Sequence, residues 1–250
     1  MAASKVAAAP KVKVTPVLDH GYVRLLGVFG DDLMVVNAAR VSFNAEHAVM
    51  EAADRKLLRY LWEHHHASPF YHPKMQFEVK APIFVARQWQ RHIVDSAHIS
   101  EGVAWNELSR RYTQDKLEFY EPKEWRQSHK HNKQASEGVV ATTEDWKVYL
   151  NAAIEDAVFN YESAIEAGIA GEQARFFLPA NIQYTTWQWT CSLYAALHFV
   201  TLRAEEGAQW EIQQYAKVIQ KMVKQAFPDV WAATQAIEKK EQAVEAVASS

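Results

Sequence analysis

The stretch MQFEVKAPIFVARQWQRH, Met75–His92, changes its period halfway along. Met75, Phe77 and Val79 alternate with Gln76, Glu78 and Lys80, the two-residue repeat of a strand with one face buried. Pro82 ends that repeat. Its fixed φ suits the first turn of a helix, and the spacing predicts a helix over Ile83–His92. A strand running straight into a helix therefore sits near the centre of the domain.

Towards the N-terminus, Tyr22–Phe29 (YVRLLGVF) reads as a strand, Asp31-Asp32 as a turn and Leu33–Val36 as a second strand. Asn37–Ser42 leads into helical or irregular structure. Over Glu51–His66, Leu57, Leu58, Leu61 and Trp62 form one helical stripe, which stops before Pro69. Towards the C-terminus, Trp125–Ser136 reads as an exposed loop. Thr142 or Thr143 caps a helix running to Gly168, with Trp146, Leu150, Ile154, Val158, Tyr161 and Ile165 in helical period. Gly171–Leu178 is a short helix before Pro179. Gln183–Glu206 reads as one helix stopped by Gly207, and Ala208–Phe227 as another stopped by Pro228. Strands come early and helices late, without βαβ alternation, so the fold class is α+β. One domain over residues 17–235 is expected between a disordered tail, 1–16, and a frayed one, 236–250.

Composition excludes several function classes. With 49% apolar residues the 250-residue chain can build a sizeable core, and its net charge of −3 argues against duplex nucleic acid as the main partner. A local Arg cluster in an acidic chain points instead to a small anion. The single cysteine, Cys191, allows no disulfide within the chain, which fits a reducing cytoplasm. It lies in WQWTCSLYAALHF, read here as an apolar helix, where a buried structural thiol is expected. No apolar run has transmembrane length, and the N-terminus lacks the core of a signal peptide. None of the eight Gly forms G-x-G-x-x-G or G-x-x-x-x-G-K, so any phosphate must be held by side chains. His64, His65 and His66 are neighbours about 100° apart on a helix and do not converge, so no metal site is expected.

The helix after Pro82 carries Arg87, Gln88, Arg91 and His92. Arg87 and Arg91 stand four apart and share a face, as an anion clamp or as a solvated basic face. Val85, Ala86 and Trp89 back the helix, and the donor- and acceptor-rich run Asn106–Tyr112 follows. Arg175 lies in GEQARFFLP. Arg203 follows a mostly apolar stretch, so either Glu205 or Glu206 neutralises it or a ligand does.

These segments resemble the flavin-dependent thymidylate synthases. The matching stretches are AARVSF (Ala38–Phe43), HASPFYH (His66–His72), FEVKAPIFVARQWQRH (Phe77–His92), NELSRRY (Asn106–Tyr112), EQARFFLP (Glu172–Pro179) and LRAEEGAQWEIQQYA (Leu202–Ala216). The resemblance implies an antiparallel sheet flanked by helices with a helix-rich C-terminal half. It implies methylation of dUMP to dTMP with 5,10-methylenetetrahydrofolate, with NADPH electrons passing through FAD and no cysteine nucleophile. It assigns Arg203 to activation of the uracil and Ser109 to a place beside the reacting base. Gln88, Arg91, Glu107, Ser109, Arg110, Arg111, Arg175 and Arg203 match nucleotide-binding positions. Ser68, Arg91, His92, Ile93, Glu107, Ser192, Tyr194 and His198 match FAD positions. A homotetramer with shared active sites is implied as well.

The chain departs from the family's R-H-R motif at Ile93, and Asn106 lies fourteen residues after His92 where the family has about six. A charge-assisted hydrogen bond worth roughly 1.5–3 kcal/mol is thereby lost or replaced. The inserted Val94–Trp105 can supply Ser96, His98 or a stacking Trp105 in its place. Two alternatives stay open at this point: a pyrimidine hydroxymethylase of the same fold, and a nucleotide- or RNA-binding relative without turnover.

Overall fold

A computed structural model describes residues 13–92, 104–108, 116–130, 132 and 135–236. The inserted segment apart from its last two residues, the two tails over 1–12 and 237–250, and the positions Ile93, Ser109, Arg110 and Arg111 lie outside the described residues.

The architecture is α+β. Strands β1 (Val14–Val17), β2 (Gly21–Phe29), β3 (Lys74–Pro82), β4 (Ala104–Glu107) and β7 (Tyr184–Ser192) form one antiparallel sheet in the order β1-β2-β3-β7-β4. A separate hairpin joins β5 (Arg126–Ser128) to β6 (Ser136–Val139). The helices are α1 (Asp32–Arg40), α2 (Ala52–Glu63), α3 (Ile83–Trp89), α4 (Thr143–Glu166), α5 (Gly171–Ala174), α6 (Leu193–Arg203) and α7 (Trp210–Ala226). Residues 228–236 are helical too.

The pleat decides which face is core. Met75, Phe77, Val79 and Ala81 of β3 pair with Cys191, Trp189, Trp187 and Thr185 of β7, and all eight are buried. The other face carries Gln76, Glu78 and Lys80, where Glu78 takes hydrogen bonds from Arg24 (2.9 Å) and Tyr22 (3.0 Å). One apolar and one polar face is the usual state of an antiparallel sheet. The apolar face is covered by α3, α6 and α7. Tyr215 of α7 donates to the Lys80 carbonyl (2.9 Å), and a Cβ on Gly21 would lie 2.7 Å from the same carbonyl, so glycine is required there.

Several expectations are corrected. Leu33–Val36 is helix, not strand, because the Asp31 side chain accepts the Met34 N–H (2.9 Å) and caps α1. Tyr184–Ser192 is strand, and only Leu193–Arg203 of the expected long helix is helical. Threonine and tryptophan alternate there as β-formers, and Ser192 then caps α6 by accepting the Ala195 N–H (3.1 Å). Cys191 is buried as expected, but in the sheet. Within Trp125–Ser136 the chain forms β5 and the first residue of β6 rather than an open loop. The chain also enters β1 at Val14, inside the expected tail, and resumes helix at Pro228 itself.

Helix α4 has the expected extent, with Gly168 at φ +82° past its end. Its stripe is only partly covered: Leu150, Ile154, Val158 and Tyr161 are half-buried and Trp146 and Ile165 exposed, and Tyr149 and Phe159 elsewhere on the helix are exposed too. Among the described residues, no helix is long and apolar enough to cross a membrane.

Candidate active site

Two strand–helix units meet at the site. Strand β3 feeds α3 and β7 feeds α6, and the strands are antiparallel, so the helices start from opposite ends of the sheet. Each folds back over the apolar face. Their meeting is fixed by Trp89, at the end of α3, which stacks on Phe199 of α6 with centroids 4.2 Å apart. Trp187 and Trp189 stand edge-on to Trp89 at 5.4 Å. This aromatic block sets where the chain leaves α3.

It leaves earlier than expected. The helix ends at Trp89, so Arg87 lies in its last turn while Arg91 lies in the turn that follows; both are exposed. The helical clamp of Arg87 with Arg91 is therefore not formed as drawn from the sequence. The turn instead buries His92, only 4% exposed, against α6. There the Arg203 Nε donates to His92 Nε2 at 3.0 Å. A nitrogen that accepts is unprotonated, so the ring proton sits on Nδ1, which is buried with no hydrogen-bond partner among the described residues. Burial first, then the charges of Arg203 and His198, push the His92 pKa down to about 4. Burial and Arg203 lower His198 as well. Burial and the neighbouring Arg91 lower Arg203 itself.

No carboxylate pairs with Arg203 among the described residues. Glu205 and Glu206, the candidates in the sequence, are exposed. Arg91, Arg203 and two neutral imidazoles thus form a locally positive, partly desolvated cluster. Such a cluster favours an anion and gives it oriented N–H donors.

A wall of rings extends from it. His198 lies 5.6 Å from His92 and parallel to Tyr194 (6.5 Å, 1°). Tyr194 in turn meets Tyr71 at 5.3 Å and Trp62 at 5.8 Å. Ser68, exposed, opens the short 3-10 turn that ends at Tyr71. His92, His198 and Tyr194 thus form a continuous run of ring contacts, with Ser68 three residues before Tyr71 in the adjoining turn. Ser192 does not share it: its side chain is fully buried and occupied in capping α6.

Gln88 reaches the α6–α7 connection, donating from Nε2 to Gln209 Oε1 at 2.6 Å. Glu107 ends β4 on the apolar side of the sheet, with its carboxylate at the exposed edge. Its Oε1 accepts from Thr185 Oγ1 (2.8 Å) and its Oε2 from Trp105 Nε1 (3.5 Å). Trp105 stacks on Trp187 at 4.7 Å, so its ring is already partnered within the chain. Arg175 stands apart: it is exposed, donates from Nε to the Glu172 carbonyl (3.1 Å), and begins a turn packed on α4 and α5. One chain does not bring it into bonding contact with the Arg203 cluster. His64 and His66 stack on Tyr60, at 4.1 and 5.8 Å, and no metal-holding group of His, Cys, Asp and Glu is found among the described residues.

Thr185 and Gln209 were not singled out from the sequence. The alternation Thr185, Trp187, Trp189 is the signal for Thr185, since it places the hydroxyl on the face that Glu107 shares.

Residues 24–229 match the family described as thymidylate synthase complementing protein. The flavin-dependent thymidylate synthase of Thermus thermophilus is 45% identical over 218 residues, which are 87% of this chain and 77% of the relative. That of Thermotoga neapolitana is 42% identical over 85% of this chain and 90% of its own. Among solved structures, the UMP/dUMP methylase PolB of Streptomyces cacaoi, bound with 5-Br dUMP, superposes with a TM-score of 0.76 at 30% identity, covering 89% of this chain and 97% of that one. These relatives are enzymes, which sets aside a binding role without turnover. With the family matched across most of its length, this methyltransferase belongs to the flavin-dependent thymidylate synthases.

Proposed function

We propose that the protein converts dUMP to dTMP with 5,10-methylenetetrahydrofolate as the carbon donor and NADPH as the reductant, through FAD. The observation that carries this reading is the Arg203–His92 pair: a guanidinium hydrogen-bonded to a neutral buried histidine, with neither a carboxylate on the guanidinium nor a partner for the His92 Nδ1–H among the described residues. A uracil ring that takes negative charge at N3 suits the guanidinium, since fixed donors stabilise developing charge at no reorganisation cost. The orphan His92 donor and the ring wall of Tyr194 and His198 fit a flat, hydrogen-bonding cofactor. Ser68, Arg91, His92, Glu107, Tyr194 and His198 would hold the flavin, which supplies the hydride that brings the transferred carbon from the methylene to the methyl level. Gln88, Arg91, Glu107, Ser109, Arg110 and Arg111 would grip the nucleotide.

Cys191 supports a reaction without a thiol nucleophile, because it is fully buried within strand β7 of the sheet. The separation of Arg175 and the exposed aromatic residues Trp146, Tyr149 and Phe159 of α4 support a homotetramer in which one chain's Arg175 serves a neighbour's site. Sedimentation is expected to give a mass of about four chains of 28.6 kDa. A cytoplasmic setting, with its nucleotide, folate and NADPH, fits the same reading.

Incubation with dUMP, methylenetetrahydrofolate and NADPH, followed by chromatography of the nucleotides, tests the reaction. One dTMP is expected for each NADPH oxidised. A hydroxymethylated base overturns the reading, and so does preferential methylation of UMP in a parallel incubation.

A further inference from the structure

Glu107 lies at an exposed strand edge, where a carboxylate ordinarily samples several rotamers. Here both of its oxygens are held. Thr185 donates to Oε1 at 2.8 Å and the Trp105 indole donates to Oε2 at 3.5 Å. Both donors belong to fixed parts of the sheet. Thr185 is buried in β7, paired with Ala81 of β3. Trp105 is clamped flat on Trp187, itself wedged edge-on against Trp89 at the end of α3. The pairing Glu107↔Trp187 makes Thr185 a diagonal neighbour on the same face. Past Glu107 the strand stays tied to β7, as the Leu108 N–H donates to the Thr186 carbonyl at 2.8 Å.

We propose that Thr185, assisted by Trp105, is a positioning residue that fixes the Glu107 carboxylate for the incoming nucleotide. The inference rests on the reading above that Glu107 belongs to the nucleotide site. Two donors on two oxygens leave a lone pair on each to accept from a ligand. A carboxylate preset in this way loses little side-chain freedom when it accepts from the ligand. The same aromatic block that ends α3 and buries His92 thus also orients Glu107, so the two halves of the site share one scaffold.

Thr185→Val keeps the shape and the strand preference and removes only the hydroxyl. It is expected to raise the KM for dUMP about tenfold, the worth of a hydrogen bond to a charged group, with kcat little changed. Thr185→Ser is expected to restore it. A merely structural role would lower the fraction of active enzyme, and so kcat, without moving KM. In a double-mutant cycle with Glu107→Ala, Thr185→Val is expected to add nothing further. An unchanged KM in Thr185→Val, or additive effects in the cycle, overturns the positioning role. If Glu107→Ala alone leaves dUMP binding at the wild-type level by calorimetric titration, the placement of Glu107 in the site fails first and takes the proposal with it.

Discussion

Arg203→Ala is expected to reduce turnover by about a hundred- to a thousandfold or more while leaving bound flavin and the fold in place. The expected size follows from where the guanidinium sits. It is partly buried, its Nε is already committed to His92, and no carboxylate neutralises it among the described residues. Its two terminal nitrogens show no hydrogen bond to the described residues, and the partial exclusion of water makes each donor worth more than in solution. Arg203→Lys separates charge from geometry. A lysine keeps the charge and lacks the fork that spans His92 and the ligand, so it should recover little of the loss. The visible flavin spectrum reports cofactor binding independently of turnover. Near-normal rates in Arg203→Ala would sink the activating role. The bond also sets the acid limit. His92 must stay neutral to accept from Arg203, and with its pKa down at about 4 it remains so well below the ordinary histidine range. Between the unfolded value near 6.5 and the folded value, the unfolded chain binds more protons, so acidification through that window weakens the folded state.

How much of this was readable beforehand depends on whether a signal is local. Strand β3 and the start of α3 were legible in Met75–His92, because alternation and then Pro82 are written within a few residues. Strand β7 alternates just as clearly in Thr185, Trp187 and Trp189. It was read as helix because nothing breaks the chain between it and the apolar run of α6; the only punctuation is Ser192, a capping residue without Gly or Pro. Asp31 was a similar case: the residue that marks a turn also caps a helix, and the cap won. In α4 the period gives the helix but not its surroundings, since periodicity shows that a stripe will be covered but not by what.

The site divides along the same line. Residue identities came from motif resemblance, and Arg203, His92, Tyr194 and His198 do converge. What no motif carries is the choice between partners for Arg203. That choice is settled by the end of α3 one residue after Gln88, which turns His92 inward and leaves Glu205 and Glu206 in solvent. The Thr185 contact is illegible for a related reason, because it exists only once β4 and β7 adopt their register.

The largest expected loss of stability comes from a group far from any reacting atom. Asp54 is completely buried at the third position of α2. Its Oδ1 accepts from Arg40 Nη2 (2.6 Å) and Nε (3.2 Å). Its Oδ2 accepts the Glu51 N–H (2.9 Å) and faces His47 Nδ1 (2.9 Å). The His47 backbone is in turn bonded on both sides to the Asn37 amide, at 3.0 and 2.9 Å. One carboxylate therefore ties the end of α1, the start of α2 and the segment between them. Burial opposes its charge, but the bonds from His47, the Glu51 N–H and Arg40 outweigh burial and hold the pKa at about 2. Asp54→Ala leaves Arg40 without its counter-charge and several donors unmatched, and should cost about 3–5 kcal/mol. That is a large part of the roughly 5–15 kcal/mol that holds a domain folded. Urea unfolding followed by tryptophan fluorescence measures it, and a loss below about 1 kcal/mol would show that water replaces the carboxylate. The pH dependence gives a second check with a fixed sign. A depressed folded pKa contributes stability that is complete above the unfolded value near 3.9 and is lost as pH falls through about 2. Wild type should therefore lose stability across that interval, and Asp54→Asn, which keeps the volume and cannot titrate, should lose less, because the variant has no carboxylate at this position for the proton to neutralise.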